Sequence, residues 1–183
     1  MLPNMNLSEA RRETVNPGGY IVKIISVNID NKYNRLQLHV DIAEGEHKGY
    51  YTKLNERFPD FWGFDINLPM EKERAWKFAR GIDAIRDSNE GFTWNDDGEN
   101  DERTLIGMYC GVVAQRYHYL GGDGTEKTKL IAHKTVPVSD IRNGNFEVPK
   151  DSYHEDLKRF QPPTGVVDTT ANFGPVNDDD IPF

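Results

Sequence analysis

Between Leu36 and Ile42 apolar and polar residues alternate without a break, with Leu36, Leu38, Val40 and Ile42 on one parity and Gln37, His39 and Asp41 on the other. A period of two cannot form one face of a helix; it places all four apolar side chains on one side of a β-strand. The neighbouring segments extend this reading. Asn16-Pro17-Gly18-Gly19 is a breaker cluster, followed by Tyr20 to Ile29, rich in β-branched residues and without helical spacing. Asp30 to Asn34 is turn chemistry, so the two apolar segments should form a hairpin buried on one face. After Glu44-Gly45-Glu46, the run Gly49 to Leu54 reads as a third strand, leading into an aromatic loop with Phe58, Phe61, Trp62 and Phe64 around Pro59 and Gly63.

The period then changes. Ala75, Phe78, Ile82 and Ile85 fall at steps of three, four and three, which predicts a helix over Met70 to Asp87 with Pro69 near its entry. Asp87 to Glu102 is polar and acidic and reads as a surface loop. A fourth strand follows, with Ile106, Met108, Cys110, Val112 and Ala114 on the core parity and Tyr109, Val113, Gln115 and Tyr117 on the other. Gly121-Gly122-Asp123-Gly124 turns the chain into a fifth strand, Lys127 to Val136. Three strands, a helix and two strands, mainly β, is the order of an OB-fold, a five-stranded Greek-key barrel with its helix between strands three and four. SH3-like barrels and small α+β sheets are the alternatives.

A length of 183 residues fits one such core with appendages. We expect a flexible arm over residues 1–16, the barrel over 17–150, and a disordered linker with an acidic tip over 151–183. The linker is marked by Pro162-Pro163, Gly165, Gly174 and Pro175 and by the loss of periodicity. No run approaches the roughly 18 apolar residues of a membrane helix, and the single cysteine excludes an internal disulfide; both fit a cytoplasmic setting. The five histidines have no spacing suited to zinc, and no cofactor motif is present.

The net charge of −8 opposes a nucleic-acid partner only if it is spread evenly. Residues 151–183 hold seven acids against Lys158 and Arg159, a net of −5 that leaves −3 for the rest. Asp87 to Glu102 holds seven acids and no base, so the body without that loop carries +4. Such a body is compatible with an anionic ligand on one face.

The sequence closes on Asp178-Asp179-Asp180-Ile181-Pro182-Phe183. This tip is similar, residue for residue, to the C-terminal tip of bacterial and phage single-stranded DNA-binding proteins. The resemblance implies that it docks into basic pockets on replication, recombination and repair enzymes. The chemistry suits that role: Phe183 is an apolar anchor, the aspartates attract at longer range, and Pro182 lowers the ordering cost. The body segments Asn16 to Lys23, Asp41 to Tyr50, Ser88 to Phe92 and Ile141 to Gly144 resemble a family of small phage-encoded proteins that includes single-strand binders. That resemblance implies a phage origin and a host-cell cytoplasmic location. The likeness of the tip to that of bacterial single-strand binders slightly favours a homo-oligomer.

Single strands are held by aromatic platforms under the bases and cations along the backbone. The aromatic candidates are Tyr33, Tyr51, Trp62, Tyr109, Tyr117 and Tyr119; the cationic ones are Lys23, Arg35, Lys53, Arg57, Arg116, Lys127, Lys129 and Lys134. Trp76, Phe78 and Trp94 are assigned to packing. Two other functions compete with this one. Asp96, Asp97, Glu99, Asp101 and Glu102 could serve a magnesium-dependent nuclease, although one glycine-containing loop lacks a rigid partner for them. An adaptor or decoy could use the tip to capture host enzymes without binding DNA. Cys110 falls on the core parity, where a thiol is inert, and no Ser-His-Asp, phosphate-loop or dinucleotide motif is present, so no enzyme activity is expected.

Overall fold

The computed structural model describes residues 14–60 and 62–158. The chain opens with β1 (Gly18–Asp30) and β2 (Arg35–Ile42), paired antiparallel from Val22↔Ile42 to Asp30↔Arg35. Their turn is held by Asp30, whose carboxylate accepts the Tyr33 N–H at 3.3 Å and pairs with Arg35 at 2.9 Å. Asn34 takes the left-handed backbone the turn needs, with φ 47°.

The expected third strand is a helix. Gly49 to Leu54 enters α1 (Tyr50–Arg57), and the strand that follows is β3 (Asp65–Pro69), beyond the aromatic segment. The cause is Asp41, on the outer parity of β2 and only 5% exposed. Its carboxylate accepts the backbone N–H groups of Tyr51 at 2.9 Å and Thr52 at 3.1 Å, together with the Thr52 hydroxyl. These are the orphan donors of a helix start, and Gly49 has no side chain to satisfy them. A long-range cap therefore overrides the β preference of Tyr-Tyr-Thr. It also turns Tyr51 into the core, stacked on Phe64 with ring centroids 5.2 Å apart.

β3 pairs with β2, matching Leu36↔Leu68 and Leu38↔Ile66. A 3-10 turn (Lys72–Arg74) leads into α2 (Ala75–Ser88), the expected helix, which buries Ile82 and Ile85. Gly81 lets α2 approach β3 closely: a Cβ there would lie 2.5 Å from a methyl of Leu68. The acidic segment after α2 is a loop as expected, closing in a 3-10 turn (Glu102–Leu105) that buries Leu105.

β4 (Tyr109–Leu120) and β5 (Glu126–Val136) form the second hairpin. Cys110, Val112 and Ala114 point into the core. Gly111, Val113 and Gln115, on the opposite parity, are buried too: α3 (Val138–Asn143) packs over Gly111, where a Cβ would meet Ile141 at 2.6 Å, and Gln115 donates to the Lys150 carbonyl at 2.6 Å. The outer face of β4 is therefore covered at its start and open toward the hairpin.

The order across the sheet is β3-β2-β1-β4-β5, antiparallel throughout. The two edge strands, β3 and β5, come within 8 Å of each other between Cα atoms. Secondary structure continues past residue 150. β6 (Ser152–Tyr153) pairs parallel to β4 at Tyr117 and His118, and α4 (Glu155–Lys158) follows. Among the described residues no helix is long and apolar enough to cross a membrane. The arm over residues 1–13, Phe61, the linker from residue 159 and the tip Asp178 to Phe183 lie outside the described residues.

Candidate nucleic-acid interface

The open part of the β4–β5 hairpin brings four of the expected residues onto one face. Cross-strand pairing sets Tyr117 opposite Lys129 and Tyr119 opposite Lys127. The two tyrosine rings lie nearly parallel at 11°, with centroids 6.3 Å apart. Lys129 Nζ is 5.8 Å from one centroid and 5.5 Å from the other. Lys127 is drawn toward the turn by Asp123, at 3.5 Å. Two aligned rings with a cation over both and a second beside them match what a stacked, phosphate-linked pair of bases requires.

On the same strand, Tyr109 is partly exposed and lies opposite Lys23, whose Nζ is 5.7 Å from its ring centroid. Asn89 fixes the Tyr109 backbone from both sides, donating to its carbonyl at 2.8 Å and accepting its N–H at 2.9 Å. A third aromatic and cationic group sits at the β1–β2 turn. Tyr33 is 56% exposed, with Lys32 Nζ and the Arg35 guanidinium each 4.9 Å from its ring centroid.

Other expected residues are placed elsewhere. Tyr51 is a core ring, and burial raises its hydroxyl pKa well above the ordinary range. Trp62 packs partly buried against the core, donating its indole N–H to the Val40 carbonyl at 3.1 Å with its ring 5.8 Å from that of His39. Tyr51 is thus held in the core and offers no free platform, whereas Trp62 keeps part of its ring exposed while its indole N–H is engaged. Lys53 and Arg57 are exposed, but they lie on α1 instead of a strand beside a groove. Arg116 lies on the parity opposite Tyr117 and reaches Asn16 at 3.3 Å. Lys134 lines a cavity with Trp76 and Arg80 of α2.

Trp76 corrects the assignment to packing: it is 56% exposed, with Lys77 at 5.4 Å and Arg80 at 5.2 Å from its ring. Phe78 and Trp94 do pack against the core, with ring centroids 6.4 Å apart. A signal for Trp76 was present in the sequence. Residues 76 and 80 lie one turn apart and off the stripe of Phe78, Ile82 and Ile85, so a ring and a guanidinium share an outward face.

The acidic loop is tied to α2 and to the 3-10 turn that closes it. Asp96 pairs with Arg86 at 2.6 Å and Asp101 with Arg103 at 2.8 Å, the latter holding the Asp101 carboxyl below its usual pKa. Among the described residues no group of three or more His, Cys, Asp or Glu side chains is placed to hold a metal ion. Cys110 is fully buried, and desolvation pushes its thiol up to about 12. His118, beside the tyrosine pair, has Nδ1 2.6 Å from Glu126 and Nε2 2.8 Å from Asp151, and its ring stacks on Tyr153 of β6 at 4.3 Å. No protein-family model matches this chain, and no curated protein matches it.

Proposed function

We propose that this chain binds single-stranded DNA with little sequence preference, on an OB-type barrel, and recruits replication, recombination or repair enzymes through Asp178 to Phe183. The observation that carries the DNA reading is the Tyr117 and Tyr119 pair with Lys129 over both rings. Every base has a π-face, so stacked rings hold a strand without reading its sequence, and the lysines meet the backbone charge. The barrel reading is supported by the strand order, by α2 falling between β3 and β4, and by the approach of the β3 and β5 edges, which meet in a five-stranded Greek-key barrel. The recruitment reading rests on the sequence of the tip.

Fluorescence titration of the full chain with oligo-dT and with duplex, over a range of salt, tests the proposal. Tighter binding to the single strand, weakening steeply as salt rises, is the expected outcome. Equal affinity for both forms, or binding insensitive to salt, would overturn it. No binding to either form, with partner capture retained, would leave the adaptor function in its place.

A further inference from the structure

The cationic group at the β1–β2 turn extends into a cavity that lies away from the β4–β5 hairpin. The β1–β2 turn, the end of β3 and the entry to α2 enclose a cavity of about 520 Å³ whose walls include Lys32, Tyr33, Arg35, Glu71, Arg74 and Lys77. Four cations face one acid. Glu71 is engaged by Arg74 at 2.6 Å, and Asp30, outside the walls, engages Arg35 at 2.9 Å. Lys32 and Lys77 have no carboxylate partner among the described residues; each lies over an aromatic ring instead. Like charges gathered around one cavity repel unless an anion joins them, and guanidinium groups match phosphate oxygens in geometry. The frame is preformed, because the Met70 N–H donates to the Asn34 carbonyl at 2.9 Å and ties the turn to the end of β3. Little ordering is then required on binding.

We infer that this cavity is a second phosphate-binding site, engaging the backbone of the same single strand that the hairpin tyrosines hold. The inference rests on the DNA-binding reading above and adds Lys32, Arg74 and Lys77 to the residues that carry it. Tyr33 provides a stacking surface in the cavity wall, so a nucleotide unit fits the site better than a bare anion. None of the walls belongs to β4 or β5, and the strand is therefore held at two separate places. Two linked contacts bind more tightly than either alone.

The test is an anisotropy titration of the full chain with an oligo-dT of about 30 nucleotides, long enough to span several sites. Three forms are compared: intact protein, Arg74→Ala/Lys77→Ala, and Lys53→Ala/Arg57→Ala, which removes the same charge from α1. The cavity variant should lose about tenfold or more in affinity, and its salt slope should flatten by about 1.4, near 0.7 for each phosphate no longer neutralised. The α1 variant should change by less than about twofold, as expected for charges outside the binding surface. Circular dichroism melts check that all three forms fold. If the cavity variant binds like the intact protein, the cavity inference falls and the hairpin reading stands. Equal losses in both variants would mean that only net charge matters, which also overturns it. Failure of the intact protein to bind at all overturns both readings. Displacement of the oligonucleotide by thymidine monophosphate or inorganic phosphate at equal phosphate concentration would assign the cavity to a free anion instead of a strand.

Discussion

The carboxylate of Asp41 accepts the backbone N–H of Tyr51 at 2.9 Å across a separation of ten positions in the chain. This bond sets the start of α1 and, through it, the burial of Tyr51 against Phe64. Replacing Asp41 by Ala strands buried N–H donors and should cost about 2–3 kcal/mol, in the range for hydrogen bonds to a charged group. Urea denaturation of intact and Asp41→Ala protein measures the difference. A loss below about 0.5 kcal/mol, the size of an ordinary surface substitution, would show that the cap does not hold the helix.

Tyr117→Ala and Tyr119→Ala should each weaken oligo-dT binding by about 1–3 kcal/mol, the worth of one stacked base. Both rings are only partly buried and lie outside the main core, so the cooperative melt should persist. Tyr109→Ala should also spare the fold, because Asn89 grips the backbone of that residue and not its ring. Loss of cooperative melting in the Tyr117 or Tyr119 variant would place that ring in the core.

His118 should make the attachment of β6 depend on pH. The carboxylates of Glu126 and Asp151 can only accept, so pairing with both requires hydrogens on both ring nitrogens. The pKa is raised above its ordinary 6.5, chiefly by the hydrogen bond to Asp151, with Glu126 adding to it. A folded pKa above the unfolded one gives stability that is fully present below the unfolded value and lost as pH rises through the folded one. His118→Gln should therefore be less stable than the intact protein near pH 5.5, with the gap closing at alkaline pH. Thermal melts across that range supply the measurement, and a gap that widens as pH rises would refute the pairing.

Deleting Asp178 to Phe183 should leave DNA binding unchanged or slightly stronger, since a tethered anionic segment competes weakly with phosphate for cationic surfaces. The same deletion should abolish capture of an enzyme that recognises such tips, because the apolar anchor and the aspartates go together. Removing Phe183 alone should do nearly as much. Oligo-dT titration and a pull-down on each form read the two effects separately. DNA binding destroyed with capture intact would reverse the proposed division of labour.

Most of the β framework was legible because alternation is a local signal: β1, β2, β4 and β5 fall close to where apolar parity places them. Tyr50 to Leu54 was misread because the decisive group, Asp41, is far away in sequence and looks like an ordinary outward residue of β2. Once that helix forms, the third strand moves to Asp65–Pro69, and Tyr51, Lys53 and Arg57 leave the candidate surface. Tyr117 could be named from its parity opposite the core set, but the cross-strand register that sets Tyr117 and Tyr119 beside Lys129 and Lys127 shows only in the structure. Trp76 was missed by treating a large ring beside an apolar stripe as part of it, when helical geometry turns the next residue about 100° away.

β6 has a mechanical consequence. Its two residues pair with Tyr117 and His118, on the edge of β4 left free where β1 ends at Gly18↔Ala114. Residues 152–158 thus lie against β4 beside the tyrosine pair. Beyond β6 the same edge is held by the His154 N–H donating to the His118 carbonyl at 2.8 Å and by the packing of α4 on β4. If this segment carries a captured enzyme as proposed, tension on it would reach the hairpin that is proposed to hold the strand.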